Sequence, residues 1–293
     1  MTRLLIIGCG DIARRAIPAL VRHYRVYVAV RSTRQHAALR ALGVTPILAD
    51  LDRSRSLQRL AGLGDVVLHL APPNEQGHRD RRTRALVAAL SDAKILPRRL
   101  IYISTSGVYG DCEGALVAEE RGMHPQTPRA RRRADAEQVL RQFGRRHGIA
   151  TSILRVPGIY AADRLPVDRL KRGDPLLRAT EDVYTNHIHA DDLATILIQT
   201  ITRGRPGRTY NAVDDSMQKM GDYFDQVADA LKLPRAPRVT RAEAEQRLTP
   251  AMLSFMGESR RLSNARMKRE LGVRLRYPTV AKGLAAACGT AKS

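Results

Sequence analysis

Two short stretches hold the residue types best placed for chemistry. The first is GCGDIA, residues 8–13, which follows the apolar run RLLIIG and opens a segment with Ile12, Ala16, Ala19 and Leu20 at helical spacing. Glycine at 8 permits a tight turn, glycine at 10 lets the main chain approach a pyrophosphate, and Ala13 fills a third small position. The helix start adds N–H donors and the positive end of a dipole. Gly8, Gly10, Asp11, Ile12 and Ala13 therefore read as a dinucleotide-phosphate turn. Asp11 has the wrong charge for a phosphate neighbour and fits best as an N-terminal cap facing away.

An NAD site places an acid on the ribose hydroxyl about twenty residues beyond such a turn. This chain has VAVRSTR there, offering Arg31, Ser32 and Arg34 and no carboxylate. Guanidinium groups suit a 2′-phosphate through charge-assisted, bidentate hydrogen bonds. The pattern favours NADP over NAD.

The second stretch is PRARRRADAEQVL, residues 128–140. Ala136, Val139, Leu140 and Phe143 form an apolar stripe at helical spacing, predicting a helix near residues 131–147. Carried backwards, that stripe passes through Arg133 and Arg129, which should face a cleft. Arg131, Arg141 and Arg145 lie off it and are expected in solvent. The alternative is an arginine cluster that is solvated throughout. Arginine cannot shuttle protons near neutral pH, because its pKa exceeds about 12.

The elements that must position these residues alternate. Apolar strands are expected in RLLIIGCG, RVYVAVR, VTPILAD, DVVLHLA, RRLIYISTS and TSILRV, with helical segments between them. That alternation predicts an α/β fold: a doubly wound parallel sheet of the Rossmann type covered on both faces. Residues 1–203 would form this NAD(P)-binding domain, with 159–185 contributing to a substrate cleft. Residues 204–293 would form a small, mostly helical C-terminal lobe.

The net charge of +21 raises the question of a nucleic-acid partner. Only 7 of the 50 basic residues are lysine and the arginines are spread along the chain. Three phenylalanines and no tryptophan leave few platforms for base stacking, which argues against nucleic acid. Cys9, Cys112 and Cys288 form neither a disulfide framework nor a zinc motif, and no metal-ligand spacing stands out. No targeting segment or membrane-length apolar run is seen, so a cytoplasmic protein is expected.

With the glycine turn, LADLD, HLAPP and ISTSGVYGD in order, the chain resembles the extended short-chain dehydrogenase/reductase superfamily, and within it the NAD-dependent epimerase/dehydratase group. The resemblance covers roughly residues 3–203, and RLSNARMKRELGVRLRYPTVAKGL resembles that group's C-terminal segment. It implies that Asp50 and Leu51 lie near the adenine, that Ala71, Pro72 and Pro73 line the cofactor cleft, and that Pro157 passes the nicotinamide. It implies that Thr105 polarises the substrate, although a hydroxyl satisfying a strand end is the plainer reading. Tyr109 reads as packing.

The family pattern P-x-x-P-Tyr-x-x-x-Lys-x-x-x-Glu meets PQTPRARRRADAE, which keeps Pro125, Pro128 and Glu137. Arg129 stands at the tyrosine position and Arg133 at the lysine position, so the proton-transfer dyad is absent and the chain is an atypical member. Arg133 could retain the lysine's grip on the nicotinamide ribose; Arg129 could hold an anionic group. Tyr160, Tyr184, His187 and His189 lie in segments expected to line the cleft, and His187 is a candidate replacement acid or a structural histidine. Asp191 or Asp192 is expected to cap a helix.

The expectation is an NADP-binding oxidoreductase or epimerase-like enzyme acting on a small, anionic substrate. The alternative is a non-catalytic NAD(P)-binding redox sensor or assembly factor. The resemblance also implies a homodimer through the helix that carries the dyad, a contact its arginines would oppose unless acids compensate.

Overall fold

Every apolar run singled out in the sequence becomes a strand of one parallel sheet. The computed structural model describes residues 1–289. Its central strands are β1 (Arg3–Ile7), β2 (Arg25–Val30), β3 (Thr45–Leu48), β4 (Val66–His69), β5 (Arg99–Thr105), β6 (Ala150–Val156) and β7 (Thr209–Asn211). They pair in parallel in the order β7-β6-β5-β4-β1-β2-β3. The order reverses between β1 and β4, and a crevice outside the carboxyl ends of strands at such a reversal is where open α/β sheets bind ligands.

Four long helices cover the sheet: α1 (Asp11–Leu20), α2 (Arg81–Ser91), α3 (Pro128–His147) and α4 (Ala190–Arg203). Successive strand residues point to opposite faces, so the sheet feeds two cores. Leu4, Ile6, Val28 and Leu68 pack with Ala16 and Ile17 of α1 and Leu193 and Leu197 of α4. Leu5, Ile7, Val67 and Leu100 pack with Leu86 of α2 and with Ala136, Leu140 and Phe143 of α3. The apolar stripe of α3 thus meets the sheet.

Helix α3 starts three residues earlier than its periodicity predicts. Thr127 caps it, its hydroxyl accepting from Ala130 N at 3.2 Å, and Pro128 sits in the first turn, where its missing N–H costs nothing. Gly148 ends it in the left-handed region, φ 66°. Arg145, Arg146 and His147 in the last turn complement the helix dipole; the arginines of the first turns oppose it.

The cap of α4 differs from expectation. His189 supplies it, its Nδ1 accepting from Asp191 N at 3.2 Å. Asp192 instead accepts from the main-chain N–H groups of Arg276 and Tyr277, both at 2.8 Å, and fastens the C-terminal segment to the first turn of α4.

A third core, including Leu170, Tyr223, Phe224, Val227 and Val280, builds the lobe. The expected division at residue 203 does not separate these cores cleanly. Strand β7 joins the sheet from beyond it, and Met267 and Leu271 pack into the first core. Among the described residues, no helix is long and apolar enough to cross a membrane.

Candidate cofactor and substrate site

A cavity of about 360 Å³ lies over the carboxyl ends of β1 to β4. Gly8 and Gly10 form part of its wall, with Arg31 and Ser32 after β2, Asp50 and Leu51 after β3, and Ala71 and Pro72 after β4. The two glycines are needed for different reasons. Gly8 has φ 97°, and a Cβ there would lie 2.6 Å from Ala71 N, so no side chain fits. A Cβ on Gly10 would meet nothing within 4 Å, which leaves main chain open to the cavity at the start of α1. A tight turn, a bare approach and a helix N-terminus on one wall fit a pyrophosphate.

Other expected residues stand behind or beside that wall. Ile12 and Ala13 are buried in the first core. Asp11 is not the cap, which is Gly10. As the first helical residue it pairs with Arg15 at 2.8 Å and Arg164 at 3.2 Å, while Arg15 also reaches Asp191 at 2.6 Å and Asp163 at 3.2 Å. Its charge is thereby compensated away from the cavity. Ser32 Oγ accepts from Arg34 N at 3.2 Å, and the Arg34 side chain is exposed beyond the wall. Pro73 is buried, and Pro157 lies between β6 and the short strand Gly158–Tyr160, off the cavity.

Sequence reasoning missed Cys9, Gln35 and Arg82, all of which line the cavity. Arg82 grips the Asp52 carboxylate at 2.8 and 2.6 Å and approaches the carbonyls of Pro72 and Pro73, both at 3.3 Å. The Arg82 guanidinium holds the Asp52 carboxyl below its ordinary range. The run HRDRRTR advertises basic residues near the fourth strand, but nothing local says which one turns inwards. Burial pushes the Cys9 thiol up, away from its reactive thiolate form.

At the other side of the reversal lie Thr105, Arg129 and Arg133. Thr105 ends β5, and its Oγ1 accepts from Gly107 N at 3.2 Å. Arg133 Nη1 donates to the Tyr102 hydroxyl at 3.0 Å and to the Ile103 carbonyl at 2.7 Å, so it points from α3 onto β5. The Arg129 guanidinium lies 5.0 Å from the ring centre of Phe255, a residue of the lobe. Arg131 is exposed, and its Nε donates to Pro125 O at 3.4 Å. Arg141, expected in solvent, instead spans to β7, donating to Thr209 Oγ1 at 2.5 Å and Gly207 O at 3.0 Å. Its long stem allows that reach from the edge of the apolar stripe.

Under this floor runs a buried polar network. Glu137, fully buried, accepts from Ser104 Oγ at 2.6 Å and from Arg155 at 3.1 and 2.9 Å. Arg155 stacks on Tyr109, 4.5 Å from guanidinium carbon to ring centre, and the Tyr109 hydroxyl donates to Asn211 at 2.8 Å. Tyr109 is thus committed to the scaffold. Burial pushes the Tyr102 phenol up to about 12 and His69 down to about 3. His187 is buried, stacked on Tyr223 at 3.9 Å, and held neutral by burial with its pKa near 3. Tyr160 and His189 are buried too, and Tyr184 is covered by Arg261. None of these four residues lines the cavity.

A profile of the family described as NAD(P)H-binding matches residues 8–203. The chain belongs to that family. The chain is also 25% identical over 243 residues to a dTDP-D-glucose 4,6-dehydratase of Mus musculus, a match that takes in 71% of this chain and 67% of that relative. The chain is 30% identical over 168 residues to a 4-hydroxy-2-methyl-3-oxo-4-farnesyl-3,4-dihydroquinoline-1-oxide ketoreductase of Stigmatella aurantiaca. That match takes in 53% of this chain and only about half, 49%, of the relative's length. A functionally unknown conserved protein from Silicibacter pomeroyi shares 30% identity and superposes over 100% of both chains with a TM-score of 0.83. A double mutant of a dTDP-glucose 4,6-dehydratase from Streptomyces venezuelae, solved with NAD bound, superposes with a TM-score of 0.77. That superposition covers 99% of this chain and 97% of the other at 21% identity, a likeness of fold.

Proposed function

We propose that this family member holds NADP across the β1–β4 reversal and acts on a small-molecule substrate without the usual tyrosine–lysine pair. The observation that carries the reading is the fit of the glycine wall: Gly8 closed against Ala71 and Gly10 bare towards the cavity. Arg31 and Ser32 at the end of β2, with no acid among residues 31–36, favour a 2′-phosphate over a free ribose hydroxyl. Asp50 and Leu51 would take the adenine, and Ala71 and Pro72 the middle of the cofactor. The bound nicotinamide would supply hydride transfer.

Arg133 supports a holding role in place of the lysine. Its Nη1 is committed to β5, while its Nε and Nη2 make no hydrogen bond among the described residues and remain for a ribose hydroxyl. Thr105 keeps a hydroxyl hydrogen for a substrate oxygen, since its oxygen acts only as acceptor towards Gly107. Neither arginine replaces the tyrosine as an acid. Loss of a positioned acid typically forfeits about 10²–10⁴-fold in rate.

One observation favours the non-catalytic alternative. The tyrosines and histidine of β5, of the turn after it and of the strand His187–His189 are buried or engaged: Tyr102 with Arg133, Tyr109 with Asn211, His187 stacked on Tyr223. The two readings separate in one assay. Oxidation of bound NADPH by any member of a panel of ketones and nucleotide-linked sugars supports the enzyme. Tight NADPH binding with no turnover across the panel supports the sensor.

A further inference from the structure

Two arginines form part of the cavity wall, Arg31 after β2 and Arg82 in the first turn of α2. Arg82 already works as a fork for an oxyanion. Its Nε and Nη2 donate to the two oxygens of Asp52, at 2.8 and 2.6 Å, one bond to each oxygen. Its Nη1 lies 3.3 Å from the carbonyls of Pro72 and Pro73, which fixes the guanidinium at the end of β4. The side chain is only 18% exposed, whereas that of Asp52 is 49% exposed. A guanidinium offers the same paired bonds to a phosphate as to a carboxylate.

The acid comes from the turn after β3. Asp50 forms part of the wall, and its Oδ1 accepts from Asp52 N at 3.0 Å, which turns Asp52 towards α2 beside the wall. The hydrogen bonds from Arg82, and then the charges of Arg31 and Arg81, hold the Asp52 carboxyl below its ordinary range against partial desolvation. Asp50 and Asp80 also bear on Arg82. Asp80 is spent on Thr83, accepting from its N at 3.1 Å and its Oγ1 at 2.7 Å. One carboxylate therefore lies in the field of both wall arginines, and it holds the better buried of the two.

An ion pair so open to solvent adds only about 0–1 kcal/mol to stability, so the fold does not depend on keeping it closed. A phosphate monoester carries a charge of about −1.5 to −2, more than the carboxylate it would replace.

We propose that Arg82 is a second arm, beside Arg31, for the 2′-phosphate of the dinucleotide, and that Asp52 is a built-in competitor that holds the fork in place until the phosphate takes it. The inference rests on the NADP reading of the cavity and adds the pair of residues that tunes it. A ribose hydroxyl cannot draw arginine away from a carboxylate, but a dianionic phosphate can. Asp52 thus sets how far NADPH is preferred to NADH, acting on the difference between the two affinities.

The test is fluorescence titration of the full chain with NADPH and NADH, repeated with 2′,5′-ADP and 5′-ADP as probes of the adenine half alone. Asp52→Asn removes the competing charge and should tighten NADPH and 2′,5′-ADP by about two- to fivefold, leaving NADH and 5′-ADP unchanged. Arg82→Met should weaken the two 2′-phosphorylated ligands by about tenfold or more, and Arg82→Lys should recover part of that loss. An unchanged NADPH-to-NADH ratio in Asp52→Asn, or equal losses of both dinucleotides in Arg82→Met, would overturn the proposal. Asp52 is half exposed, so its variant decides the matter even if Arg82→Met fails to fold. Unaltered protein that binds NADPH no tighter than NADH would strike the NADP reading, and this inference with it. A preference for NADPH that survives unchanged in both variants would strike this inference alone.

Discussion

Arg133 and Tyr102 are joined by a 3.0 Å hydrogen bond from guanidinium to phenol, at the position where the resemblance implies a lysine. The bond ties α3 to β5, and a second from the same Nη1 to Ile103 O fixes the arginine's direction. Helix α3 is therefore docked onto β5 through Arg133. Arg133→Met should weaken NADPH binding, and Arg133→Lys should recover part of the loss because an ammonium can still donate to both oxygens. Unchanged NADPH affinity in both variants, measured by fluorescence titration, would remove Arg133 from the cofactor site.

Gly8 and Gly10 should respond differently to substitution. Gly8→Ala forces a Cβ against Ala71 in a left-handed conformation and should cost about 1–3 kcal/mol of stability as well as cofactor affinity. Gly10→Val projects into open space and should cost only the poorer helix cap, about 1 kcal/mol, while losing NADPH binding. Calorimetric melting beside an NADPH titration separates the two effects. A Gly10→Val protein with full affinity would show that the cofactor does not approach this turn.

Arg31 should set the choice between the two dinucleotides. Arg31→Asp is expected to lower NADPH affinity by about tenfold or more and leave NADH affinity equal or improved. Parallel losses for both cofactors would mean that Arg31 supports the fold of the pocket and does not read the phosphate.

The Glu137–Arg155 pair should be costly to break and cheap to replace. Glu137→Gln leaves Arg155 buried without its counter-ion and should cost about 3–5 kcal/mol in urea unfolding. Replacing both partners with Leu and Met should cost less than the sum of the single changes. Additive losses would contradict a direct coupling.

Asp214 and two histidines give stability a pH dependence with a worked-out sign. Burial raises the Asp214 carboxyl from 3.8 to about 8, so between those values the folded state holds a proton that the unfolded state releases. Its contribution is therefore lost as pH rises, by up to about 1.4 kcal/mol per pH unit. His69 and His187, lowered from 6.5 to about 3, act oppositely: below pH 6.5 the unfolded state binds their protons first, and stability is lost as pH falls. These three groups together place a stability maximum near 6.5. Asp214→Asn should flatten the decline from there to pH 8, read from urea midpoints; an unaltered decline would exclude Asp214 as its source.

The parts of this architecture written in local pattern were legible in the sequence. Apolar runs such as RLLIIG and RRLIYISTS gave the strands, and GCGDIA gave the turn over the cavity, because each depends on neighbours within a few residues. What depends on distant partners was not. Arg82 enters the cavity because Asp52, thirty residues away, pulls it there. Arg141 leaves solvent because Thr209 lies within its reach. Strand β7 is three residues in a polar stretch and exists only through its pairing with β6. His189 displaced the expected aspartate cap because the strand His187–His189 delivers its ring to the helix start, while Asp192 is drawn off by Arg276 and Tyr277.

The cleft over β1 to β4 is proposed to hold NADP. Fluorescence titration of the full chain with NADPH and NADH tests it most directly. One NADPH per chain should bind, roughly tenfold or more tightly than NADH. Failure of both dinucleotides to bind would contradict the site, and equal affinities would contradict the phosphate reading of Arg31 and Ser32.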